Sequence, residues 1–153
     1  MTNEISMENK GGIKEKFFST TGRIGRMTFF KRSVVLILIE IFLMMIVGFI
    51  AALWTFNSPN SDLIMTAAMF IVGLAAIFPI YCLNVKRLHD LGKDETLAKV
   101  FAGLGILGLA FTFSESTLAQ AIIIISSIIS LVFTVYLLFM RGETNANEYG
   151  NAQ

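Results

Sequence analysis

Ser33 to Phe56 reads SVVLILIEIFLMMIVGFIAALWTF, 24 residues with a single charge at Glu40. A helix rising about 1.5 Å per residue needs roughly 20 residues to cross a hydrocarbon core about 30 Å thick. The run is long enough, and its composition outweighs its one acid. A charged residue at the helix centre opposes insertion by about 2.5–3.5 kcal/mol, whereas each of about fifteen Leu, Ile, Val and Phe residues favours it by about 0.3–0.6 kcal/mol. This stretch is a transmembrane helix, and the rest of the chain is read outward from it.

Three further runs resemble it. Leu118 to Met140 carries no charge, and Leu63 to Leu83 is interrupted only by Pro79. Leu97 to Phe113 is the weakest, near the lower length limit, with Lys99 close enough to its start to snorkel toward the headgroups. Spans are expected at about 33–56, 63–83, 97–113 and 118–140. The whole composition agrees: 55% of the 153 residues are hydrophobic and 15% are charged, with mean hydropathy +0.71. A soluble domain carries about 25% charged residues. Cys82 is the only cysteine and lies in an apolar run, so no disulfide forms within the chain and nothing points to an oxidising compartment.

The net charge of +1 conceals a one-sided layout. Lys10, Lys14, Lys16, Arg23, Arg26, Lys31 and Arg32 precede the first span. Lys86, Arg87, Lys93 and Lys99 surround the middle loop, and Arg141 follows the last span, which accounts for all 12 basic residues. The loops Asn57–Asp62 and Ser114–Thr117 have none. Because basic residues are retained in the cytoplasm, both termini and the middle loop belong there, and the number of crossings is even. The expected fold is all-α: an integral membrane four-helix bundle, N-in/C-in, with two short outer hairpin loops. Residues 1–16 are expected to be a flexible cytoplasmic tail and 17–150 the transmembrane domain. A cleaved signal peptide is not expected, because the polar lead and the first span exceed the usual n- and h-regions.

Several features have a structural and a functional reading. Ile13 to Phe30 mixes cations with Phe17, Phe18, Ile24, Phe29 and Phe30, which suits a segment in the headgroup layer, or simply an anchor that sets topology. Pro79 frees the carbonyl of Ala75 and predicts a bend. Ser126, Ser127, Ser130 and Thr134 fall mostly on one helix face, as a packing seam or as the lining of a polar path. Gly103 to Gly108 fits G-x-G-x-x-G, but inside an apolar span and without the strand of a dinucleotide site, so it reads as close helix packing.

Glu40 is an intramembrane acid and hence a functional candidate by default. At roughly 9–10 Å below the boundary near Val34, it is expected to face the bundle and bond Thr134, Tyr81, Tyr136 or Lys99. Lys86-Arg87-Leu88-His89-Asp90 is the second cluster. His89 beside Asp90 suggests acid–base chemistry, while the cations suit a helix C-terminus and Asp90 or Asp94 can cap the next helix. No nucleophile or metal partner accompanies them, and no cofactor or metal is expected.

Three motifs give the chain a resemblance. Phe18 through Phe30, with Gly22-Arg23-Ile24-Gly25-Arg26 and Phe29-Phe30, is similar to an opening G-R-x-x-R and aromatic pair. Lys86 through Gly92 is similar to R-R-L-H-D-x-G, and Gly142 through Gly150 to a closing G-x-x-x-x-N-x-Y-G. In these the chain resembles the YhaH-like bacterial inner-membrane proteins, domain of unknown function 805. It departs in having phenylalanine in the first motif and Lys93–Leu97 after the central loop where tryptophans are frequent. The resemblance implies four helices and a bacterial inner (plasma) membrane location, with no established activity.

All three motifs fall on one side of the membrane. Arg23, Arg26, Lys86, Arg87, His89, Asp90, Asn147 and Tyr149 are therefore candidates for a shared cytoplasmic platform that takes a ligand or lipid headgroup. The leading expectation is a non-catalytic protein acting there on anionic lipid headgroups or a protein partner, or as a homo-oligomer, with no nucleic acid involved. An oligomeric transporter or channel component using Glu40 with Ser126, Ser130 and Thr134 is the alternative, and a membrane enzyme using His89 and Asp90 the third.

Overall fold

The computed structural model describes residues 12–55 and 60–151. Their regular elements are five helices: α1 Ile13–Phe17, α2 Arg26–Thr55, α3 Ser61–Asp90, α4 Thr96–Phe111 and α5 Thr117–Phe139. Three of these, α2, α3 and α5, are long and apolar enough to cross a membrane. α4 is apolar but has 16 residues, about 24 Å at 1.5 Å per residue. The protein is thus an all-helical chain built for a bilayer, with three full-length candidate spans and a shorter apolar helix. Residues 1–11 and the first half of the loop expected at 57–62 lie outside the described residues.

The helix ends differ from those expected. α2 begins at Arg26, so Lys31 and Arg32 lie within its first two turns rather than before it. α3 continues past Leu83 and through Pro79 to Asp90, so the Lys86–Asp90 motif forms the helix C-terminus that its cations suit. The charges mark where the chain leaves an apolar layer. They do not mark where backbone hydrogen bonding stops. The tail boundary expected at residue 16 falls inside α1, whose Glu15 and Lys16 carbonyls accept from Lys86 of α3.

α2 packs mainly along α3, α3 along α4 and α4 along α5. Small residues set the spacing. A Cβ at Gly108 would lie 3.5 Å from Ser126 Oγ, one at Gly105 3.8 Å from Ile77, and one at Gly73 2.9 Å from Leu109. Gly103 meets nothing within 4 Å. The glycines of α4 therefore serve close packing at Gly105 and Gly108. The core concentrates at the charged end, where Ile24, Phe29, Leu83, Leu88, Ala98, Phe133 and Leu137 are buried together. Phe101 stacks on Phe133 with ring centroids 3.7 Å apart. Most other large apolar side chains point outward, as lipid-facing residues must.

Candidate functional site

The charged end is assembled from three separate segments, and α3 supplies its centre. Arg87 and Asp90 stand three residues apart and so share a helix face. Past Asp90 the helix closes on Gly92, whose φ of +66° favours glycine. The Gly92 amide donates to the His89 carbonyl at 3.2 Å and the Lys93 amide to the Leu88 carbonyl at 2.9 Å. That pair of bonds is a Schellman closure, and it satisfies two carbonyls that the helix end leaves orphaned.

Arg87 then caps a different helix. Its Nε donates to the Leu137 carbonyl at 2.8 Å and its Nη2 to the Met140 carbonyl, at the C-terminus of α5. A cation there meets both the unpaired carbonyls and the negative end of the helix dipole. Nη1 of Arg87 reaches the Ile24 carbonyl at 3.4 Å and forms an ion pair with Asp90 Oδ2. The second oxygen of Asp90 pairs with Arg23 Nη2 at 3.2 Å. One buried carboxylate thus sits between two buried guanidiniums, their side chains 0–3% exposed.

Arg23 ties in the C-terminal segment. Its Nη1 donates to the carbonyls of Asn145 at 2.8 Å and Gly150 at 3.2 Å, and its Nη2 to that of Glu143 at 2.7 Å. Among the described residues, only its Nε is a buried side-chain polar atom without a partner. The Glu143 amide donates to the Asp90 carbonyl at 2.8 Å. Asn147 Nδ2 donates to the His89 carbonyl at 2.9 Å, and its Oδ1 accepts from the Tyr149 amide at 3.0 Å, which turns the chain so that the Tyr149 ring stacks on His89, centroids 3.8 Å apart. His89 Nδ1 in turn donates to the Gly22 carbonyl at 3.2 Å. Residues 142–150 therefore fold back over the end of α3 as a strap.

Gly142 is required by this closure, because a Cβ there would fall on the Asp90 carboxylate and lie 3.1 Å from its backbone oxygen. Lys86, 3% exposed, serves α1: its Nζ donates to the carbonyls of Glu15 and Lys16, and Arg32 reaches the Lys16 carbonyl at 3.4 Å. Asp94, not Asp90, takes the place near the start of α4. It accepts from the Thr96 amide at 3.3 Å and the Thr96 hydroxyl at 2.7 Å, and the hydroxyl holds this exposed carboxyl below its ordinary range.

Of the residues singled out above, the structure joins Arg23, Arg87, His89, Asp90, Asn147 and Tyr149 directly, and Lys86 through the amide of Ile24, which donates to its carbonyl at 3.3 Å. Arg26 stands exposed outside the group. The intramembrane residues do not join one another. Glu40 is half-buried and has no hydrogen bond or ion pair among the described residues. Three of its four expected partners are engaged elsewhere: Thr134 donates to the Ser130 carbonyl at 2.9 Å, Tyr81 to Glu95 at 3.1 Å, and Lys99 pairs with Glu95. Ser126 and Ser127 both donate to the Ile123 carbonyl, at 3.0 and 2.7 Å. Ser126 is buried, whereas Ser127 and Thr134 are exposed. Sequence reasoning missed the carbonyl acceptors altogether. The only available signal was that three polar motifs shared one side of the membrane.

The three segments that meet at this junction bracket one family match: the model described as "Protein of unknown function (DUF805)" covers residues 17–151. The chain belongs to this family. No curated protein and no solved structure matches it. In this DUF805 chain the matched region begins at the last residue of α1 and ends just past the strap, so it contains the entire junction. Among the described residues no group of three or more His, Cys, Asp or Glu is placed to hold a metal ion.

Proposed function

We propose that this DUF805 chain is a four-span protein of the bacterial inner membrane, with both termini and the junction in the cytoplasm. It acts by presenting a fixed, non-catalytic platform there to lipid or to a protein partner. The observation that carries this reading is the closed cluster of Asp90 with Arg23 and Arg87. Its guanidiniums are spent on protein carbonyls, and His89 lies beneath Tyr149. Groups held this way give the surface its shape and do not offer an acid–base pair to a substrate.

The orientation follows from the cations. Every Lys and Arg among the described residues lies at this end or in the segments leading to it, so a cytoplasmic location satisfies the positive-inside bias in one stroke. It also needs α4 to cross, with Lys99 at the headgroups beside Glu95. The transporter reading, built on Glu40 and the hydroxyl stripe, is less well supported. The hydroxyls bond their own helix and divide between buried and exposed positions.

The test uses Lys93→Cys in intact cells, where Cys82 is buried and unreactive to a polar reagent. Labelling only after permeabilisation is expected, as is copurification of specific lipids or a partner from native membrane. Labelling of intact cells overturns the orientation and the platform with it.

A further inference from the structure

The cations outside the Arg23–Asp90–Arg87 cluster are not spread evenly around the charged end. α1, the first two turns of α2 and the α3 residue beneath them carry Lys14, Lys16, Arg26, Lys31, Arg32 and Lys86, with Glu15 the one described carboxylate among them. The loop after α3, the start of α4 and the strap with the residue before it carry Lys93, Lys99 and Arg141 against Asp94, Glu95, Glu143 and Glu148. One side is strongly basic and the other is balanced.

Large apolar side chains are interleaved with the basic set. Ile13 is 75% exposed, Met27 65%, Phe30 48% and Phe18 47%. Their depth is fixed by packing. Phe18 stacks on Phe78 at 6.3 Å, and Phe78 belongs to the apolar part of α3, below Lys86. Lys86 and Arg32 hold the end of α1 by its carbonyls, so that end is tied to α2 and α3. Rings at the level of the apolar helices with cations beside them form the pattern of a chain segment seated in the headgroup layer.

We propose that α1 and the first two turns of α2 form a docking surface for anionic phospholipid headgroups, and that the balanced side does not. The inference deepens the platform reading by naming one partner and the side that meets it, and it rests on that reading for the leaflet concerned. Phe18, Met27 and Phe30 enter the acyl boundary while Lys14, Arg26 and Lys31 reach phosphate oxygens. A Lys or Arg near an anionic membrane surface favours association by about five-fold.

The experiment uses the full chain in symmetric phosphatidylcholine bilayers, probed with spin-labelled phosphatidylglycerol or spin-labelled phosphatidylcholine. The motionally restricted fraction gives the relative association of each lipid. The expected result is a preference for phosphatidylglycerol that falls at least about five-fold in Lys14→Gln/Lys31→Gln and at high salt, and that is unchanged in Lys93→Gln/Arg141→Gln. A wild-type chain without preference, a loss equal in both pairs, or no loss in the first pair overturns the proposal. All four side chains are exposed, so unchanged thermal unfolding is expected and shows that the variants are folded. Symmetric bilayers read this surface whichever way the chain inserts. Failure here is therefore distinct from failure of the orientation, which the Lys93→Cys labelling reports.

Discussion

At the scale of single residues, Asp90 holds two arginines that would otherwise be buried cations. Breaking a buried pair by removing one partner costs about 3–5 kcal/mol, because the remaining charge stays desolvated. Asp90→Ala is expected to lower the unfolding midpoint in detergent sharply. Combined with Arg23→Ala, it should destabilise by less than the sum of the two, with a coupling of about 0.5–3 kcal/mol measured by a double-mutant cycle. Additive effects would show that the 3.2 Å pair does not bind as drawn. Glu40 behaves oppositely. It has no described partner, so Glu40→Leu should leave the midpoint unchanged or raise it, since a carboxyl at such a depth only opposes insertion. A large fall would reveal a partner outside the chain and restore the oligomeric reading. The identity of the polar residues in the junction was legible in the sequence. Their partners were not, because most acceptors are backbone carbonyls, and a carbonyl at Leu137 or Asn145 has no sequence signature.

At the scale of the helices, apolar length was the readable quantity and the helix ends were not. The run from Ser33 to Phe56 announces α2, but the helix starts at Arg26, where a basic residue reads as the edge of the membrane. α3 likewise runs on to Asp90, because Arg87 and Asp90 find partners in α5 and at Arg23. Helix contacts depend on which glycines face a neighbour, and spacing alone did not separate them. Gly108 approaches Ser126 of α5, whereas Gly103 faces open space in the protein. Gly108→Leu should therefore force α4 from α5 and lower the unfolding midpoint, by an overpacking cost of about 1–3 kcal/mol. Gly103→Leu should be neutral or stabilising, given the low helix propensity of glycine. Thermal unfolding of the two variants side by side decides the matter, and an equal effect would mean that the α4–α5 seam lies elsewhere.

For the whole molecule, the strap is what joins the two ends of the chain. The Arg23 segment meets the end of α3 through Asp90, and residues 142–150 close over both. Three of the carbonyls that satisfy Arg23, those of Glu143, Asn145 and Gly150, belong to the strap. Arg87 is different, since its α5 acceptors are the carbonyls of Leu137 and Met140, which precede the strap. A chain ending at Arg141 should therefore keep Arg87 on α5 and lose the hold on Arg23. Buried guanidinium N–H groups without acceptors are expensive, so the Arg23 segment is expected to detach into water instead of remaining buried unpaired. Hydrogen exchange reads this directly. In the truncated chain the Ile24 amide, which donates to the Lys86 carbonyl at 3.3 Å, should lose protection together with the C-terminal turn of α3. The α4–α5 seam, which rests on Ser126, Gly108 and the Phe101–Phe133 stack, should keep it. Tyr149→Ala, which removes the stack on His89 but none of the strap carbonyls that hold Arg23, should produce a partial version of the same change. Protection at Ile24 that survives truncation would mean that Asp90 alone retains Arg23, and that the strap rests on the junction without closing it.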